Sequence, residues 1–166
     1  AELTMTYVAE LVQEQLSVAA IHRMYDIDNA ALLSVLAGYY DTADAGKVGS
    51  HTISEMDSRG SLCLVSPDGT GTFLTPRADT FAGVRDMDSA RLEHALRNTE
   101  HSVSYQHGVN EVVNKLAAGV AASAILIRPV SLTEIRRTAD TGELMPPKST
   151  FFTPKLRTGM VMRDLN

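Results

Sequence analysis

Between residues 145 and 155 the chain reads Met-Pro-Pro-Lys-Ser-Thr-Phe-Phe-Thr-Pro-Lys, and its densest set of groups able to do chemistry falls here. Lys148 and Lys155 supply ammonium groups, and Ser149, Thr150 and Thr153 supply hydroxyls, all donors suited to phosphate or carboxylate oxygens. Pro146, Pro147 and Pro154 fix φ at about −65° and remove backbone donors, so the stretch is neither a helix interior nor a central strand. The chemistry that suits such a stiff platform is anion binding, with ammonium groups supplying charge while hydroxyls and free amides fix oxygen positions. A proline-rich surface turn has the same composition, and the pattern alone leaves both readings open.

Further candidates fall at the expected boundaries of elements. His22 and Arg23 follow an apolar run, where a proton carrier and a guanidinium clamp would meet a ligand at a strand end. In an enzymatic reading His22 is the acid/base and Lys148 stabilises developing phosphate charge, while Arg23, Arg128, Ser149, Thr150 and Lys155 bind the ligand. His107 joins them ahead of Gly108 and a helix, because helix N-termini attract anions. The alternatives are structural: a hydrogen-bonded core histidine at 22, a local cap at 107, and an ion pair between Arg128 and an acidic residue. Cys63 lies between apolar residues and reads as a core thiol. No Cys/His spacing suits zinc, no nucleophile elbow is present, and no cofactor is indicated. Gly46-Lys47 invites comparison with a phosphate-binding loop, but Asp41 stands where the first glycine belongs and Val48 replaces the hydroxyl, so residues 41–47 read as solvated loop.

The elements that must position these groups follow from apolar periodicity. Strands are expected at 4–12, from 16 towards 25, at 62–65, 72–74, 103–106, 122–127 and 160–163. Helices are expected at about 30–40, 50–58, from Asp86 or Asp88 onward, at 109–118, and from a Ser131–Glu134 capping box to about Ala139. Hairpin signals in the first half and alternating elements in the second predict an α/β or α+β fold, with helices packed on a mixed sheet in a single compact domain over 1–166.

Composition narrows the function classes. A chain of 166 residues, 44% of them hydrophobic, is long enough for one domain burying roughly 70% of its unfolded surface. The net charge of −5 opposes a broad basic surface, so DNA binding by this portion is not expected. One cysteine excludes an internal disulfide, and no apolar run reaches the ~20 residues needed to span a bilayer, which together suggest a soluble cytoplasmic setting.

Four stretches, in order, carry a resemblance: Ala-Ile-His-Arg at 20–23, Ser-Tyr-Gln-His at 104–107, Leu-Ile-Arg-Pro at 126–129, and the run from Glu143 to Lys155 with Gly159 after it. They resemble the C-terminal half of domain-of-unknown-function family 1015, also labelled ParB-like. Residues 41–85 show no motif of that family, and Thr153 stands where an aromatic is common in it. The resemblance implies that this chain is the C-terminal portion of a longer protein, whose N-terminal half would be one partner. A small anionic or phosphorylated ligand would be another, and the association of such proteins with serine biosynthesis implies a phosphotransfer enzyme as one expectation. A non-catalytic ligand-sensing or partner-binding module is the alternative.

Overall fold

The computed structural model describes residues 17–153. The strands expected at 4–12 and 160–163, and Lys155 with them, lie outside the described residues.

The main sheet has six strands in the order β3 (Tyr40–Lys47), β5 (Thr70–Pro76), β4 (Leu62–Val65), β7 (Ser123–Leu126), β2 (Ile21–Tyr25) and β6 (Val103–His107). Every pairing in it is antiparallel, so the α+β form is the one realised. Two short strands, β1 (Ser17–Ala19) and β8 (Phe151–Thr153), form a separate antiparallel pair.

Helices cover both faces of the large sheet. Along β4, Leu62 and Leu64 pack into a cluster with Leu32 and Leu36 of α1 (Asn29–Leu36) and Leu92, Ala95 and Leu96 of α3 (Asp88–Leu96). Cys63 and Val65 point the other way, to Met56 of α2 (Thr52–Arg59) and Val112 and Leu116 of α4 (Val109–Ala117). This alternation is the strand's two-residue period, and cover on both faces explains why β4 and β7 are apolar throughout.

Local signals set most boundaries. Asp28 caps α1 by accepting the Ala31 N–H at 2.9 Å. Ser131 caps α5 (Leu132–Thr141) by accepting the Glu134 N–H at 3.1 Å, and Gly142 ends that helix with φ 67°. In the β4–β5 hairpin, a Cβ at position 71 would come within 2.6 Å of Val48 Cγ2 and 2.8 Å of Cys63 Sγ, so Gly71 permits the edge of the sheet to close.

Two expectations are corrected. Helix α1 stops at Leu36, because Tyr40 already pairs with Pro76. Residues 41–47 are strand β3 rather than loop: their small polar side chains suit an exposed edge, and β5, some 30 residues away, supplies the pairing.

Candidate functional site

Strand β2 runs on to Tyr25, which places His22 and Arg23 inside a central strand and not at its end. Met24 packs with the α2/α4 cluster and Tyr25 with the α1/α3 cluster, so alternation sends His22 and Arg23 to opposite faces of the sheet. The pair therefore cannot act together on one ligand.

His22 is 3% exposed, and its Nδ1 accepts the backbone N–H of Ile127 at 3.3 Å. Burial, followed by the nearby charges of His107 and Arg23, pushes its pKa down to about 4. The ring is neutral at pH 7, with its proton on Nε2 because Nδ1 is an acceptor. This is the geometry of a hydrogen-bonded core histidine.

Arg23 is also buried, at 4% exposure, and burial lowers its proton affinity below that of a free guanidinium. It donates to the carbonyl of Ile21 in its own strand, to Pro147 O at 3.3 Å and to Lys148 O at 3.4 Å. Its Cζ lies 5.4 Å from the ring centroid of Tyr105, the residue directly across from it on β6. Arg23 thus holds the proline platform against the sheet through main-chain oxygens.

The platform is a turn closed from within. Ser149, 4% exposed, donates its hydroxyl to Pro146 O at 2.6 Å, and Lys148 adopts a left-handed φ of 55°. Lys148 is exposed, Thr150 half-buried, and no carboxylate pairs with Lys148 among the described residues. Directly after the turn, Phe151 pairs with Ala19 and stacks on the exposed ring of His107, with centroids 4.3 Å apart. Tyr105 and His107 alternate along β6 on the Arg23 side. Arg23, Tyr105, His107 and the Lys148 turn therefore come together at one corner of the sheet.

Arg128 belongs elsewhere. Its Nη2 and Nε donate to the two Asp88 carboxylate oxygens at 2.6 and 3.0 Å, and its backbone N–H donates to Asp88 Oδ2 at 2.9 Å. The hydrogen bonds it donates to the Asp88 carboxylate raise the guanidinium's pKa further. The pair forms one wall of a cleft of about 210 Å³, which Asp57, Asp86 and Glu134 also line and to which residues 145–150 contribute nothing. The charge of Arg128 is thus paired within the fold, away from the Lys148 turn.

Sequence reasoning missed Tyr105 and Asp88. The alternation Val103, Tyr105, His107 on a strand bordering the platform was the available signal for the first. For the second there was none, because Asp88 and Arg128 are 40 residues apart. Among the described residues no group of three His, Cys, Asp or Glu is placed to hold a metal ion.

No family model and no curated protein matches the chain. Solved structures do. A conserved hypothetical protein from Pyrococcus furiosus superposes with a TM-score of 0.60 at 10% identity, over 89% of this chain and 60% of its own. Free serine kinase in complex with AMP superposes at 0.57 and 11% identity, over 89% of this chain and 58% of its own. A point mutant of that kinase in complex with ADP gives 0.57 at 12% identity. At such identities the likeness is one of fold, and this chain spans about three-fifths of the length of those structures.

Proposed function

We propose that this chain is the ligand-binding portion of a protein that handles a small phosphorylated compound, with the phosphate held at the turn of Lys148, Ser149 and Thr150. The carrying observation is the Arg23 anchor. Its buried guanidinium fixes the carbonyls of Pro147 and Lys148, so the Lys148 ammonium, with no carboxylate partner among the described residues, stands on a preorganised turn. His107, exposed beside Phe151, is the titratable group best placed to adjoin the ligand.

The fold shared with free serine kinase, solved in complex with AMP and, as a point mutant, with ADP, supports a nucleotide or phosphoryl compound as the ligand class. Phosphotransfer linked to serine is the finer reading, and it agrees with what the resemblance to family 1015 implies. One observation favours a sensing module instead: His22, the expected acid/base, is sealed inside the sheet, so the remaining chemistry would have to come from His107 or from outside this chain.

Calorimetric titration of the 166-residue chain with pyrophosphate and phosphoserine tests the binding reading. Saturable binding that Lys148→Ala weakens about tenfold or more supports it. Equal affinity in both proteins would remove the site assignment.

A further inference from the structure

Flat rings stand at the same corner as the Arg23 anchor of the Lys148 turn. Tyr105, 38% exposed, and His107 stand two residues apart on the same face of β6, and Phe151 extends the row by stacking on His107 at an interplanar angle of 26°. One face of Tyr105 is backed by the buried Arg23 guanidinium at 5.4 Å, and that same guanidinium donates to the Lys148 carbonyl. A single cation thus ties an aromatic shelf to an anion-binding turn. A large exposed aromatic on an edge strand gains little from solvent, and a ring backed by a cation is a good stacking partner for an electron-rich heterocycle. β6 is the last strand of its sheet, and the crevice of about 60 Å³ that Tyr105 shares with Leu92 and Glu93 of α3 is too small to take a base.

We infer that Tyr105 and His107 form a base-stacking shelf, so that the ligand of this corner is a nucleotide whose base lies on the shelf and whose phosphates reach the Lys148 turn. This builds on the phosphate site proposed above and adds to it the recognition of a base. Nothing in the shelf reads a hydrogen-bonding edge, so it selects for a π-face and tolerates different bases.

The test titrates three probes, ADP, pyrophosphate and adenosine, into the 166-residue chain and its variants. ADP is expected to bind about tenfold more tightly than pyrophosphate, the usual scale of one stacked base. Tyr105→Ala should abolish that advantage while leaving pyrophosphate affinity unchanged, and Tyr105→Trp should restore it. Lys148→Ala should weaken ADP and pyrophosphate alike and leave adenosine unaffected. Retained pyrophosphate affinity in Tyr105→Ala also reports that this variant is folded. If ADP and pyrophosphate bind equally and Tyr105→Ala changes neither, the shelf is wrong and the phosphate site stands. If adenosine binds through Tyr105 while Lys148→Ala changes nothing, the shelf stands and the phosphate site falls. If no probe binds, both fail.

Discussion

Arg23 donates to the carbonyl oxygen of Pro147 at 3.3 Å across 124 residues of sequence, and this bond joins the second strand to the turn that carries Lys148. A guanidinium suits the task because its planar fork serves several carbonyls at once, and here it reaches Ile21, Pro147 and Lys148 together. Arg23→Met keeps the stem and removes the donors. Hydrogen bonds from a charged group contribute more than neutral ones, and a loss of about 2–4 kcal/mol is expected in urea unfolding. Amide exchange at residues 148–151 should quicken more than exchange in β4. Unchanged exchange across 148–151 would show that the turn is held by something other than Arg23.

His22 makes the fold acid-sensitive. Its pKa is near 4 in the folded chain against 6.5 when free, because burial disfavours the charged ring. Between these values the unfolded chain binds a proton that the folded chain refuses. The stability contributed by neutral His22 is therefore complete above pH 6.5, is lost as pH falls, and is gone below about 4. The shift corresponds to roughly 3 kcal/mol. His22→Asn offers an acceptor for the Ile127 N–H without a titrating ring. The difference in stability between wild type and His22→Asn should narrow from pH 7 to pH 4, and a constant difference would contradict this assignment.

Features written in local sequence were legible, and those made by distant pairing were not. The Ser131–Glu134 cap, the Gly142 stop and the hairpin joining 62–65 to 72–74 are short-range devices, and the chain adopts each of them, with the second strand widened to Thr70–Pro76. Likewise the apolar runs at 62–65 and 122–127 read correctly as strands. Residues 41–47 looked like loop because an exposed edge strand tolerates small polar side chains, and its pairing with β5 leaves no mark on its own composition. His22 and Arg23 looked like a strand end for a related reason. Charge usually marks a boundary, but here one residue is neutralised by burial and the other finds carbonyls supplied from more than 120 residues away. The platform at 145–150 was visible as a rigid polar segment, whereas its attachment through Arg23 and its neighbour Tyr105 required the folded chain.

The Asp88–Arg128 pair should behave as a structural clamp. Asp88 is 4% exposed at its side chain and accepts three hydrogen bonds from Arg128, which is 25% exposed. Asp88→Asn leaves a half-buried guanidinium without its counter-charge, which should cost about 2–4 kcal/mol. The double variant Asp88→Asn, Arg128→Met should cost less than the two single losses combined, because the stranded charge is gone. Pyrophosphate affinity should be unaffected in the folded variants. A specific loss of affinity would instead return Arg128 to the ligand site.

Lys148 allows the turn and its charge to be separated. A lysine at φ 55° is disfavoured by about 1 kcal/mol relative to glycine, which adopts that conformation without Cβ strain. Glycine also has more freedom to lose on folding, so Lys148→Gly should leave stability within about 1 kcal/mol of wild type. The same substitution removes the ammonium, and charge-assisted hydrogen bonds of about 1.5–3 kcal/mol correspond to a loss of about 10- to 100-fold in pyrophosphate affinity. Thermal unfolding and calorimetric titration on the same sample separate the two effects. A stable Lys148→Gly that still binds pyrophosphate as wild type does would reduce the platform to a structural turn, and the ammonium to a solvated surface charge.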